Sequence, residues 1–214
     1  MLNIKDLSQS ELPKQDNYEQ ALRIGLEIFS RKDPGRAAQK ARADFKGRSV
    51  IVPHLDRKIA LDVDTQRFSI METGEEAAIW LGILTIHYLN NATGMQPTGN
   101  LKHFREFKEG RLYEPAFNSR TSDVLIGVFG NKPGLMLEAG KKLDGRVIQT
   151  GDAAIELAYF PCLPVTCILW GGDEEFPAEA SVLFDETADK FFSAEDMAVA
   201  GQMAVLELVK ASRE

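Results

Sequence analysis

Apolar positions recur at helical spacing near both ends of the chain and at strand spacing in two clusters between them. Tyr18, Leu22, Gly25, Ile28 and Phe29 share one face of a 3.6-residue period, which predicts an amphipathic helix over 16–31. Asp33 followed by Pro34 places a capping carboxylate before proline at the first helical position and opens a second helix through Phe45. Three short apolar runs follow: Ser49–Val52, Ile59–Val63 and Arg67–Ile70. Polar turns separate them, so a β-meander is expected. Residues 1–15 are polar without a period and read as an N-terminal arm, leaving 16–214 as one globular domain.

The middle of the chain is more apolar. Thr73-Gly74-Glu75-Glu76 has the spacing of a capping box, in which hydroxyl and carboxylate satisfy each other's backbone donors. It opens a predicted helix over 75–91 that is apolar nearly all round (Trp80, Ile83, Leu84, Ile86, Leu89), as a buried central helix must be. Residues 101–117 mix aromatics and charges with no clean period. Helices are expected from Asn118 or Ser119 to Phe129 and from Pro133 to Leu143. Strands are expected over Arg146–Gln149, Ala153–Phe160, Val165–Trp170 and Ser181–Phe184. Ser193-Ala194-Glu195-Asp196 caps a last helix with Met197, Ala200, Met203 or Ala204, and Leu208 in one stripe. Two clusters of mostly antiparallel strands around a buried central helix, with further helices at both ends, make the fold class α+β.

Composition narrows the function classes. With 214 residues, 44% of them hydrophobic, the chain can bury one substantial core. A net charge of −7, with basic residues scattered among acids, argues against nucleic acid, because phosphate binding needs clustered lysine and arginine. The longest apolar run, 77–89, is interrupted by Gly82, Thr85 and His87 and is too short to cross a bilayer. Without a signal-peptide core in the first residues, a cytoplasmic location is the expectation.

Two segments carry candidate chemistry. Trp170-Gly171-Gly172-Asp173-Glu174-Glu175-Phe176-Pro177 places consecutive carboxylates on a glycine-hinged turn between two apolar strands. Such a turn could hold a cation, a basic partner or a substrate amine, or be a charged hairpin tip that discourages edge pairing. Asp152 and Asp185 bound nearby strands and could converge on it. The second segment, His103 to Tyr113, sets Arg105 between aromatics, where its planar fork could meet a carboxylate or phosphate, with Arg120 able to join. We therefore expect Asp173 and Glu175 to be held by Arg105 or Arg120 at the rim of a pocket lined by Trp170 and Tyr113. His54, His87 and His103 have no metal-ligand spacing, and Cys162 and Cys167 read as buried small hydrophobes. No metal site is expected, no cofactor is named, and no phosphate loop, nucleophile elbow or other catalytic motif is present.

The succession His87-Tyr88-Leu89, Phe104-Arg105-Glu106, Gly110, Tyr113, Phe117, Arg120, Gly151-Asp152, Pro161, Pro164, Leu169-Trp170, the acidic turn, Leu183-Phe184-Asp185 and Glu195-Asp196 resembles an uncharacterised family. This is a domain-of-unknown-function family of anaerobic bacteria and archaea, and the resemblance spans roughly residues 17–210. Some members are fused to a cysteine-rich iron–sulfur domain like that of corrinoid iron–sulfur proteins; this chain has no four-cysteine segment. The resemblance implies a place near one-carbon or corrinoid metabolism and supplies no catalytic residues. The leading expectation is a binding or accessory domain that recognises a small ligand or protein partner through Arg105, Tyr113, Arg120, Asp152, Trp170, Asp173 and Glu175. The alternative is an enzyme using the Asp173–Glu175 turn as a divalent-metal or acid/base site.

Overall fold

The chain folds around a helix that touches both of its sheets. The computed structural model describes residues 15–172 and 175–213. Apart from residue 15, the expected arm lies outside the described residues. Helix α1 (Gln15–Ser30) and helix α2 (Pro34–Lys40) lead into strands β1 (Asp44–Lys46), β2 (Ser49–His54), β3 (Arg57–Asp62) and β4 (Arg67–Ile70), an antiparallel meander. Asp33 caps α2 by accepting from the Arg36 N–H at 2.7 Å. The second helix ends at Lys40 rather than at Phe45. Arg42 turns left-handed at φ 52°, Ala43 N–H closes back on the Ala38 carbonyl, and Asp44–Lys46 pair with β2 instead.

Helix α3 (Ile79–Asn91) starts four residues later than its capping signature suggested. The edge of β4 takes the backbone first: Ile70 N–H donates to the Glu75 carbonyl and Ala77 N–H to the Phe68 carbonyl. Thr73 Oγ1 accepts only from the Glu75 N–H at 3.2 Å, and the Glu76 carboxylate pairs with Arg67. From Leu81 to Leu89 every residue but His87 is buried. Each side has a partner. A Cβ on Gly25 of α1 would lie 2.5 Å from Ile86, and Phe68 of β4 sits over Gly82. Tyr88 stacks on Phe160 with ring centroids 4.7 Å apart.

The second sheet holds β5 (Leu101–His103), β6 (Arg146–Val147), β7 (Ala153–Phe160), β8 (Leu163–Trp170) and β9 (Glu179–Asp185), antiparallel in the order β5-β9-β8-β7-β6. Between β5 and β6 run a 3₁₀ turn (Phe104–Glu106) and helices α4 (Gly110–Arg120), α5 (Ser122–Phe129) and α6 (Pro133–Lys142). The aperiodic stretch is thus a strand, a turn and a helix, and the helix expected from residue 118 is divided at Thr121. Gly110 is required there, because a Cβ would sit 1.9 Å from the Phe104 carbonyl oxygen. Helix α7 (Ala194–Ala211) opens on a formed capping box between Ser193 and Asp196, and its buried stripe takes Ala204 rather than Met203. Alternate residues of β7, β8 and β9 (Ile155, Leu157, Val165, Cys167, Val182, Phe184) form one core with Leu125, Phe129, Met136 and α7.

Direct bonds join the two sheets. Leu55 N–H, just after β2, donates to the Ala158 carbonyl, and the His54 ring meets the Tyr159 carbonyl at 2.7 Å. Burial pushes His54 down to about 4 against that hydrogen bond, so the ring is neutral near pH 7 and its Nδ1–H donates. On the far side, His87 Nδ1 meets Asp196 Oδ1 at 2.9 Å and ties α3 to the first turn of α7. That hydrogen bond raises the His87 pKa; burial opposes it, and the Asp196 and Glu195 charges add to it.

The two rings give stability contributions of opposite sign in pH. Unfolded, both titrate near 6.5. The folded state refuses the His54 proton, so this contribution is lost as pH falls from about 6.5 to about 4, worth about 3 kcal/mol in all. The folded state retains the His87 proton, so that contribution is complete below 6.5 and is lost as pH rises through the raised folded value. Urea unfolding as a function of pH should show a His54→Phe variant losing the acid-side slope and a His87→Phe variant losing the slope above 6.5. Unchanged slopes would refute the assignment.

Candidate functional site

A concavity lies where β5 leaves the edge of β9. Strand β5 covers only Leu183–Asp185, and at Phe104 the chain turns away into the 3₁₀ turn and α4. A pocket of about 300 Å³ opens in the resulting notch, between Glu179–Val182 of β9, residues 103–105, and the facing sides of α4 and α5. Its floor is apolar. Phe104 and Phe117 are buried and stacked with centroids 4.4 Å apart, and Ile126 of α5 adjoins them.

The rim is polar and mostly acidic. Arg105 Nη1 reaches Glu114 Oε1 of α4 at 3.4 Å across the mouth, and Asn118, Asp123, Glu179 and Ser181 complete the wall. Glu114, Asp123 and Glu179 line the pocket together with Arg105 and His103, and of the three Glu114 pairs with the guanidinium. With the Arg105 side chain 55% exposed, that ion pair contributes little to stability and is available for exchange with a ligand.

Among the described residues put forward as binding candidates, Arg105 lines this pocket and Tyr113, Arg120, Asp152, Trp170 and Glu175 do not. Tyr113 is exposed on α4, and Trp170, at the end of β8, is 40% exposed and opposite Glu179 in the β8–β9 register. Asp152 Oδ2 accepts from the Gly171 N–H at 2.7 Å, which fixes the start of the acidic turn against β7. Asp173 and Glu174 lie outside the described residues; Glu175 is exposed. Arg120 is half-buried at the end of α4, and its charge also reaches Tyr18 of α1. Burial raises the Tyr18 pKa, the Glu195 charge adds to that rise, and the Arg120 charge opposes it.

Asp152 and Asp185 do not converge. Asp185 ends β9 opposite Leu101, at the other end of the sheet from Gly171. Its buried carboxylate accepts from Gly99 N–H at 2.7 Å, Thr187 N–H at 3.0 Å and Thr187 Oγ1 at 2.7 Å. Burial works to raise its pKa, but these donors outweigh it and hold the group below the usual carboxylate range. It is a structural clamp on the loop before β5.

Glu114, Asp123, Glu179 and Ser181 were not singled out from the sequence. Glu114 meets Arg105 across a turn, at no helical spacing, and Glu179 enters through a strand register set elsewhere in the sheet. Among the described residues, no three His, Cys, Asp or Glu side chains are grouped to hold a metal ion. Cys162 and Cys167 are both buried free thiols, and burial pushes Cys167 up to about 12. No described helix is long and apolar enough to cross a membrane.

Comparison with curated proteins and with solved structures finds no significant match. One family profile does match, over residues 33–207, from the cap of α2 through most of α7. That stretch includes both sheets, the central helix and every wall of the pocket. The chain belongs to the family described as a domain of unknown function, DUF3786.

Proposed function

We propose that the chain is a binding or accessory module whose ligand enters the notch beside β9. The observation that carries this reading is the pocket itself: an apolar floor of Phe104, Phe117 and Ile126 beneath a rim of convergent polar groups. That combination suits recognition of a polar ligand, with fixed polar groups for orientation over a small apolar base. Arg105 is the first binding residue in this proposal. Its bond to Glu114 presets the guanidinium without committing it to a buried pair. Glu114, Asp123 and Glu179 suit a positive group on the ligand, and Arg105 a carbonyl or carboxylate oxygen on the same ligand. Trp170 shares a cross-strand pair with Glu179, so its exposed ring extends the same surface towards the acidic turn. The proposal keeps Tyr113, Arg120, Asp173 and Glu175 as further binding residues.

The resemblance to proteins of anaerobic bacteria and archaea, some joined to a corrinoid-type iron–sulfur domain, motivates placing the module in corrinoid-related one-carbon metabolism. The enzyme alternative gains less support, because Asp185 is at the far end of the sheet and its carboxylate is taken up by Gly99 and Thr187.

Native mass spectrometry of protein purified without oxygen tests the binding reading. We expect an added mass on the wild-type chain that Arg105→Ala loses, while the urea midpoint moves by less than about 1 kcal/mol because the pair is exposed. No adduct, or one retained in full by Arg105→Ala, would contradict it.

A further inference from the structure

The pocket has one wall that is backbone rather than side chain. Strand β9 runs from Glu179 to Asp185 and is paired along its whole length with β8. On its other edge, β5 pairs only with Leu183, Phe184 and Asp185. Among the described residues, no strand covers that edge from Glu179 to Val182. The phase of the ladder says which groups point outward. Glu186 N–H donates to the Asn100 carbonyl at 2.8 Å, on the β5 side. In an antiparallel pair the bonded residues alternate, so Phe184, Val182 and Ala180 direct N–H and C=O towards that same edge. Phe184 is met by β5; half-buried Ala180 and buried Val182 line the pocket.

We infer that the notch receives an extended, basic peptide segment of a partner protein, which adds to β9 as a short antiparallel strand beyond the end of β5. This rests on the binding reading above and names its ligand class. Three features of the notch converge on it. The open backbone row supplies sequence-independent hydrogen bonds, as in other sheets that accept an added strand. The floor of Phe104, Phe117 and Ile126 lies beside that row and can take the apolar stem of a side chain. The rim carries Glu114, Asp123 and Glu179 against the single Arg105, which selects a lysine or arginine at the head of that stem. Arg105 then also holds Glu114 in place until the incoming cation shares that carboxylate.

The edge would otherwise be a hazard, since an uncovered strand edge pairs with any strand it meets. Here its reach is limited. Among the described residues, the stretch of β9 without a β5 partner is Glu179–Val182, in which Glu179 is exposed, Ala180 and Ser181 are half-buried and Val182 is buried. An acidic rim repels a second copy of the same edge. The surface is thus suited to a short segment of opposite charge.

The test uses the full chain and a synthetic heptapeptide, acetylated and amidated, in which lysine alternates with valine. Backbone amide exchange is followed by NMR. Binding should slow exchange at Ala180 and Val182 at least tenfold. The same peptide with glutamate in place of lysine, or with every backbone amide N-methylated, should bind at least tenfold more weakly. Ala180→Pro removes one outward N–H at an edge position where proline is tolerated, and should weaken binding as much while leaving the unfolding midpoint in place. If that variant misfolds, the wild-type exchange pattern and the N-methylated peptide still decide. Equal binding of the N-methylated peptide, or unprotected Ala180 and Val182 amides, overturns strand addition. An adduct lost in Arg105→Ala together with unprotected amides leaves the binding reading standing and removes only this inference; absence of both adduct and peptide binding removes both.

Discussion

The rest of the structure depends on what surrounds one phenol. Tyr88 lies near the end of α3, fully buried, and donates its hydroxyl hydrogen to the Ala41 carbonyl at 2.8 Å while accepting from the Cys162 N–H at 3.0 Å. Ala41 ends α2 on the side of the first sheet, and Cys162 sits in the turn between β7 and β8 of the second. The ring fills the space between, stacked on Phe160 and on Phe191 at 5.5 Å. Both polar groups bonded to it are buried, so losing the hydroxyl would leave each without its bond in a place water cannot easily reach. This explains why a helix with almost no polar face is stable in a small protein. It is a wedge with a helix, a meander and a hairpin packed on its sides, and Tyr88 fixes the angle at which they meet.

The candidate site follows from how this wedge divides the chain. The loop after α3 leads to β5, which joins β9 after a long excursion and is clamped by the Asp185 carboxylate through Gly99 and Thr187. Pairing then lasts only three residues, because Phe104 must turn inward to stack on Phe117 in the core. Gly110 allows α4 to start directly under the Phe104 carbonyl, where any side chain would collide. The notch beside β9 is therefore a consequence of core packing: the same aromatic that ends β5 becomes the floor of the pocket.

Local signals in the sequence were sufficient where local interactions decide. The all-round apolar run from Ile79 to Leu89, the Asp33-Pro34 start and the Ser193–Asp196 capping box each appear in the structure in the predicted role. The Thr73–Glu76 signature has the same chemistry and fails, because the edge of β4 offers those backbone groups a competing ladder. No local pattern carries that competition. The site was legible only in part for the same reason. Arg105 could be singled out by its aromatic neighbours, whereas Glu114, Asp123 and Glu179 reach the pocket through a turn, a helix start and a strand register fixed by distant pairings. His87, the polar ring on an apolar helix, is bonded to Asp196, 109 positions away, a pairing that no local pattern carries.

The central claim is that Tyr88 couples the two sheets into one cooperative unit, and native-state hydrogen exchange on Tyr88→Phe tests it most directly. The variant keeps the stacked ring and removes only the hydroxyl, at a cost of about 1–3 kcal/mol. The account predicts that the slowest-exchanging amides of β2–β3 and of β7–β8 lose protection by the same amount. Loss confined to one sheet, with the other unchanged, would contradict it.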